Sequence, residues 1–342
     1  MENGVSVIIC CFNSANRIKP TLLYLSRQEF TSSFPWEIVL VDNASTDVTA
    51  QLSVEYWEKI RKDIPIHVVN EPKPGQAFAR ITGMEKSRYS FLLFCDDDNH
   101  LTPKYIQGIY DHLEQNPKLA ACGGFGIPVF EQEKPAWFDN YAEAFAIGSQ
   151  KITTENRKQL NLYGAGLGIK KNIIKEIFET GFIPIMKGRE GNNLSSSEDT
   201  ELTYAMVIRG YDLMCDDDLT FLHYMPAARM QEKYLEKLIE ASGHDGPVRN
   251  LYYSFITERF FHQQIKNWYV HSAFAVIRLV KYFVMPPKKN GRKLYLKWSV
   301  AYLKSLIRIK PDYRSLKNNI ELIKKTRLPL AKTAMIQHPT FA

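Results

Sequence analysis

The 342-residue chain has no run of about 18 uninterrupted apolar residues, so the sequence signature of a membrane-spanning helix is missing. Cysteine is scarce. Cys10, Cys11, Cys95, Cys122 and Cys215 form an odd set without a Cys-x-x-Cys pair, so no disulfide framework is signalled and reduced, mostly buried thiols are expected. The opening Met1-Glu2-Asn3-Gly4 has no basic region, and the apolar run behind it is too short for a signal peptide, so no leader is expected. No internal repeat is visible, and no nucleic-acid recognition module accompanies the basic residues. Acidic residues are almost missing from one end. Residues 261–342 hold 17 Lys+Arg and 2 Asp+Glu, a net +15, whereas the first 260 hold 27 and 35, a net −8. An acidic body with a basic tail points to an anionic partner: a membrane surface, a nucleic acid or an acidic protein. With 45% hydrophobic and 24% charged residues, the composition excludes a disordered or collagen-like chain. The length suits two domains, or one large domain with an appendage.

The first third alternates short apolar runs with helical periods. Residues 5–11 are apolar but for one Ser, which predicts a strand buried on both faces. A turn at 13–16 leads to a helix over 17–28. A second buried strand, 37–41, ends at Asp42, and a helix follows over 47–62. A strand at 66–69 precedes a helix over 75–87, entered through Pro72-Lys73-Pro74-Gly75. A fourth strand, 90–95, ends in Asp96-Asp97-Asp98. This order predicts an α/β fold with a mostly parallel sheet flanked by helices, and ligands at the carboxyl ends of its strands, where Asp42 and the Asp triplet fall. Residues 120–225 are less regular. They include Gly164-Ala165-Gly166-Leu167-Gly168, a polar stretch at 187–197 read as a mobile loop, and Glu198-Asp199 opening a helix over 200–209 that Gly210 ends. From about residue 225 the pattern is helical, interrupted at 242–247 and 286–291.

Three adjacent carboxylates at a buried strand end repel one another unless a cation or hydrogen-bond donors neutralise them. Oxygen ligands so placed suit Mg²⁺ or Mn²⁺ shared with a substrate phosphate; a solvated acidic turn gives the same pattern. A second triplet, Asp216-Asp217-Asp218, follows only a short apolar run and is assigned to the solvated kind. The glycines at 164–168 have the wrong spacing for a dinucleotide fingerprint.

Five segments occur in an order that resembles family 2 glycosyltransferases. They are Val5-Ser6-Val7-Ile8-Ile9-Cys10-Cys11-Phe12-Asn13, Val41-Asp42-Asn43-Ala44-Ser45-Thr46-Asp47, Asn70-Glu71-Pro72-Lys73-Pro74-Gly75-Gln76-Ala77-Phe78-Ala79-Arg80, Phe94-Cys95-Asp96-Asp97-Asp98-Asn99 and Glu198-Asp199-Thr200-Glu201-Leu202. The resemblance implies a GT-A fold over residues 1–225, a nucleotide-sugar donor, a divalent cation (Mn²⁺ or Mg²⁺) and inverting hexosyl transfer. It implies that Asp42 accepts a hydrogen bond from a pyrimidine ring, with a turn-forming Asp as the alternative. Arg80 is placed to meet the diphosphate or the base; Ile81 stands where many relatives carry Asn. Asp96 faces the ribose and Asp98 holds the metal, with Asp97 able to substitute for either. Asp199 is the general base and Glu198 its alternative or an acceptor-orienting group; a helix-dipole charge is the competing reading of Asp199. His223 contacts the metal or diphosphate, or else is a packed structural residue. The small residues at 164–168 let an acceptor sugar approach. Trp137, Phe138 and Tyr141 stack on a sugar or belong to the core.

Residues 226–342 are expected to form a helical basic extension. Residues 268–285, largely apolar but with Arg278 and Lys281, and a helix over 293–309, with Lys293, Lys297, Lys304 and Arg308 on one stripe and Trp298, Leu303 and Ile307 on a broad apolar side, both suit lying at an anionic interface. Together with the +15 excess, this favours an anionic membrane surface over a helical subdomain packed on the core. The expected protein extends a glycan or a lipid-linked acceptor in cell-surface polysaccharide synthesis, peripherally at the cytoplasmic face of the membrane. Two competing readings are an inactive sugar-nucleotide-binding scaffold, which Asp98 and Asp199 argue against, and a nucleic-acid-binding protein using the tail, for which no module is present.

Overall fold

The computed structural model describes residues 2–151, 159–189, 191, 194–257, 259–285 and 291–324. The apolar runs form strands β1 (Glu2–Cys11), β2 (Trp36–Asp42), β3 (Ile66–Asn70) and β4 (Tyr89–Phe94), joined by helices α1 (Ile18–Ser26), α2 (Thr49–Ile60) and α3 (Gln76–Lys86). These strands are parallel in the order β3-β2-β1-β4. Alternate residues of β1 face opposite ways. Val5, Val7 and Ile9 join an apolar layer with Leu22, Leu25, Trp57 and Ile109, whereas Ile8 joins Ala79, Met84 and Ile173 on the other side. Burial on both faces explains why the strands read as unbroken apolar runs.

Beyond β4 the sheet becomes mixed. The remaining strands are β5 (Asn99–Leu101), β6 (Leu119–Phe130), β7 (Gly168–Lys170) and β8 (Asp212–Met225), and the full order is β3-β2-β1-β4-β7-β6-β8-β5. β7 runs antiparallel to both its neighbours, β8 is parallel to β6, and β5 is antiparallel to β8. Helices α4 (Tyr105–Gln115), α5 (Lys171–Phe178) and α6 (Glu198–Ile208) flank this half. Within the stretch 164–168, Gly164 and Ala165 line the cavity described below, whereas Gly166 and Gly168 serve packing. A Cβ at Gly166 would strike the Tyr105 ring and one at Gly168 would strike Ile109, so at these two positions close approach within the core, not room for a sugar, requires glycine. Asp216 pairs with His112 at 2.7 Å and Asp217 accepts from Ser149 at 2.8 Å, so these two carboxylates are tied into the fold and are not simply the solvated turn expected. All five cysteines are free, and all but the half-buried Cys10 are buried.

The C-terminal helices are α7 (Glu232–Ile256), α8 (Phe260–Gln264), α9 (Trp268–Val284), α10 (Arg292–Arg308) and α11 (Tyr313–Leu322). The interruption expected at 242–247 is absent: α7 runs through Pro247. Gly243 and Gly246 let α10 approach closely at Trp298, Ala301 and Tyr302. Ser305 donates to the His244 carbonyl at 2.7 Å and Arg249 to that of Ser242 at 3.0 Å, so side chains brace the turn that proline weakens. The interruption expected at 286–291 lies outside the described residues except for Gly291. The apolar side of α10 is also reassigned. Trp298 and Leu303 pack against the cluster that contains Tyr252, Tyr302 and Leu306, and Lys297 pairs with Glu236 of α7 at 2.8 Å. Only Ile307 of the three named apolar residues is exposed. Among the described residues no helix is long and apolar enough to cross a membrane.

Candidate active site

A cavity of about 570 Å³ opens where β1, β2 and β4 end, the place at which parallel sheets bind ligands. The loops around it are tied together. The Asn43 side chain donates to the carbonyls of Glu71 and Lys73 and accepts from the Gly75 amide at 2.8 Å, fastening the end of β2 to the turn that starts α3. One turn into α3, Arg80 points inward. Its guanidinium lies over the Phe94 ring at 4.9 Å, 3.3 Å from Glu198 and 3.8 Å from Asp96. A Cβ at Gly164 would fall 2.7 Å from Nη1, so glycine there is what admits the arginine.

The three aspartates part company. Asp96 is partly exposed and faces Arg80. Asp97 is buried, with its carboxylate taken by Ser14 and by Arg17 at 2.8 Å, and its carbonyl accepts from Thr21 at 2.8 Å; it anchors the start of α1. Asp98 turns to the other side, 2.8 Å from Arg229 and 3.4 Å from His223 Nε2. Burial opposes its charge, yet Arg229 and His223 outweigh burial and hold the carboxyl well below the usual carboxylate range. His223 pairs across β5 and β8 with Asn99, which brings it beside the triplet. Its Nδ1 lies 2.9 Å from the Phe145 carbonyl. A carbonyl only accepts, so Nδ1 carries a proton, and Nε2 faces the Asp98 carboxylate and the Arg229 guanidinium, each at 3.4 Å.

Arg229, 2.8 Å from Asp98 and 3.4 Å from His223 Nε2, supplies the positive charge beside this pair, and a bound metal ion would have to share Asp98 with it. A buried oxygen and an imidazole nitrogen fit Mn²⁺ well and Mg²⁺ less well. No group of three or more His, Cys, Asp or Glu residues that could hold a metal occurs among the described residues, so these two groups would need further ligands from a substrate or water.

Opposite the triplet, α6 presents Glu198 and Asp199 at its N-terminus, starting two residues earlier than the helix expected over 200–209. Asp199 accepts from the amides of Gly164 and Thr200, each at 2.6 Å; burial raises its pKa while Arg80 and these amides pull it down. Glu198 is pushed up to about 7, chiefly by burial, against the pull of Arg80. Its Oε2 is buried without a hydrogen-bond partner. Gly188, at φ +70°, passes over this carboxylate, where a side chain has no room. The carbonyls of Lys187 and Arg189 accept from the Ala77 and Gln76 amides, so the described part of the 187–197 stretch covers the first turn of α3. One turn further along α6, the buried Glu201 accepts from the Ile185 and Met186 amides and from the Tyr252 hydroxyl of α7.

Of the residues singled out in the sequence, Arg80, Asp96, Glu198 and Asp199 form one cluster and Asp97, Asp98 and His223 border it. Asp42 stands apart: it does not line the cavity, and its carboxylate accepts from the Ser45 amide at 3.3 Å, as a turn-forming Asp does. Phe138 is buried in an aromatic cluster with Phe145, and Trp137 and Tyr141 pack against it, so this trio belongs to the core. Sequence reasoning missed Arg229 and Arg17. Arg17, the residue just before α1, was within reach of a charge count; Arg229 lies in a short 3-10 turn, Ala227–Met230, after β8 and had no pattern to reveal it.

A sheet that turns from parallel to mixed beside an acidic strand end, faced by a carboxylate pair on a helix, is the architecture of GT-A glycosyltransferases. The chain belongs to glycosyl transferase family 2, whose sequence model matches residues 6–178. It is 22% identical over 191 residues to a glucosyl-dolichyl phosphate glucuronosyltransferase of Haloferax volcanii, covering 55% of this chain and 58% of that one. It is 26% identical over 138 residues to the poly(ribitol-phosphate) β-N-acetylglucosaminyltransferase TarS of Staphylococcus aureus, covering 38% and 24%. The matches thus span less than two thirds of either relative. The fold is similar to that of S. aureus TarS 1-349 in complex with UDP-GlcNAc (TM-score 0.53, 16% identity, 96% of this chain and 94% of that chain). It is also similar to a mannosyltransferase from Pyrobaculum calidifontis in complex with GDP-Man and Mn²⁺ (TM-score 0.50, 16% identity, 94% and 85%).

Proposed function

We propose that this glycosyltransferase moves a sugar with inversion from a nucleoside diphosphate donor to a hydroxyl of a glycan or lipid-linked acceptor, in the assembly of a cell-surface polysaccharide at the cytoplasmic face of the membrane. The observation that carries the reading is the convergence on one cavity of a buried Asp98–His223 pair and, across it, Arg80 with Glu198 and Asp199. Arg80, fixed by two carboxylates, offers its guanidinium to the diphosphate, and Asp96 is the exposed carboxylate able to meet the ribose. Asp42 shapes the turn beside the base.

Asp199 is the proposed base. The acceptor oxygen forms a bond to the anomeric carbon, the bond from that carbon to the diphosphate oxygen breaks, and the acceptor proton passes to Asp199. The two amides that hold its carboxylate fix its direction without removing its charge. Glu198 keeps Arg80 in place and orients the acceptor. A divalent cation held by Asp98 and His223 would offset the charge growing on the departing diphosphate.

The test is a panel of UDP-, GDP- and dTDP-sugars, each with and without Mn²⁺, read by thermal unfolding. A bound donor raises Tm through linkage. One donor should raise it in the presence of the cation, and the same donor should be consumed when an acceptor is added. If no nucleotide sugar raises Tm with or without cation, the donor site is misassigned.

A further inference from the structure

Helix α9 carries an apolar face that no described residue covers. Tyr269, Val276, Ile277, Val280, Phe283 and Val284 each leave 49–70% of their surface exposed. Their spacing by three and four residues places them on one side of the helix. The opposite side is fully engaged: His271 bonds to the hydroxyls of Tyr302 and Tyr313, and Arg278 lies over the rings of Trp298 and Tyr302 at 4.4 and 4.1 Å. The exposed face is therefore presented by a well-anchored helix and is not the outside of a fraying one.

Its borders are cationic. Lys310 sits over the Trp268 and Tyr269 rings at 4.5 and 5.4 Å at one end, Arg292 over the Phe283 ring at 4.7 Å at the other, and Lys281 is exposed along the flank. α9 contains no Asp or Glu. At 17 residues it is about 25 Å long, and it carries two cations, so it suits lying in an interface more than crossing a bilayer. A second protein would have to present acidic groups around an apolar strip, whereas an anionic lipid surface supplies apolar depth and a negative rim together. The basic excess of residues 261–342 has the matching sign.

We infer that α9, and not the lysine stripe of α10, docks the enzyme on anionic lipid, with Tyr269, Val276, Ile277, Val280 and Phe283 entering the acyl boundary and Lys281, Arg292 and Lys310 meeting the headgroups. This deepens the reading of a lipid-linked acceptor by naming the surface that would bring the active site to it.

The experiment is co-sedimentation of the full chain with phosphatidylcholine vesicles, with and without phosphatidylglycerol, over a salt series. The wild type should bind the anionic vesicles, more weakly but not negligibly at high salt. Val276→Ser/Val280→Ser should lower partitioning about tenfold at every salt concentration. Lys281→Gln/Lys310→Gln should remove much of the salt-sensitive part. Lys293→Gln/Lys297→Gln should bind as the wild type does, because both lysines are paired with Glu236. Tm and donor consumption with a soluble acceptor are measured on each protein without vesicles and should stay unchanged in all three variants. The inference is overturned if the wild type does not sediment, if the α9 apolar variant sediments like the wild type, or if the Lys293/Lys297 variant loses as much as the α9 variants. It is also overturned if sedimentation velocity shows a wild-type dimer that Val276→Ser/Val280→Ser converts to monomer without a change in vesicle binding. Vesicle binding without sugar transfer would leave the docking surface standing and remove the proposed function instead.

Discussion

Replacing Asp199 by Asn separates the chemistry from the architecture of the site. Both carboxylate oxygens are used: Oδ2 accepts from the Gly164 amide and Oδ1 from the Thr200 amide, each at 2.6 Å. Asparagine has one oxygen, so one of these amides must face an NH₂ group. A buried donor left without its acceptor costs about 1–3 kcal/mol. In a protein of this size each kcal/mol moves Tm by roughly 2–4 °C, so Tm should fall by several degrees. The loss in turnover should be far larger, ~10²–10⁴-fold, because the acceptor proton has lost its recipient. Nucleoside diphosphate affinity, followed by calorimetry, should change little, since Arg80 and Asp98 are untouched. Turnover near the wild-type rate would refute the assignment and move the role to Glu198, whose Oε2 has no partner and whose pKa, raised chiefly by burial, lies at about 7. A fall in affinity as large as the fall in turnover would refute it differently, by showing that Asp199 acts in binding.

Asp98→Asn should abolish the cation-dependent part of nucleoside diphosphate binding, measured by titration with Mn²⁺ present and absent; unchanged cation dependence in the folded variant removes Asp98 from the metal site. Gly164→Ala should push Arg80 from its place between Glu198 and Asp96, destabilising the protein by about 1–3 kcal/mol and weakening donor binding together; a variant with wild-type Tm and affinity would show that the arginine moves freely. Glu201 has its pKa raised chiefly by burial, from an ordinary 4.5 to about 7. The native state therefore holds this proton more tightly than the unfolded chain, and the associated stability, about 3 kcal/mol, is present below pH 4.5 and lost as pH rises through about 7. Glu201→Gln should flatten the fall in urea-unfolding stability between about pH 5 and about pH 8; an unchanged slope would mean that other groups set it.

The first half of the fold was legible because burial on both faces writes itself into continuous apolar runs. The strands expected at 37–41 and 90–95 are β2 and β4 with ends shifted by one residue. The antiparallel β7 was not legible: three residues, Gly168–Lys170, carry too short a period to register, and only pairing with β4 and β6 makes them a strand. The same holds for α7, where Ser-Gly-His-Asp-Gly-Pro reads as a break until α10 is laid against the two glycines. In the site, residue types were readable but directions were not. Asp96, Asp97 and Asp98 are equivalent in sequence, and it is Arg80, Arg17 and Arg229, from three distant segments, that give each a different task.

The bond from Tyr252 to Glu201 reaches further than its own stability. It joins the C-terminal helices, from α7 onward, to the helix that carries Glu198 and Asp199, with a buried acid as the rivet. A chain cut before α7 would leave that acid facing water and would open the apolar layer around Leu251, Tyr252 and Phe255. The C-terminal helices are thus a condition for the foldedness of the part that does chemistry. Any exchange of these helices between relatives, in the laboratory or by recombination in evolution, must carry a hydroxyl to position 252 or change residue 201 at the same time. The two positions should be inherited as one unit.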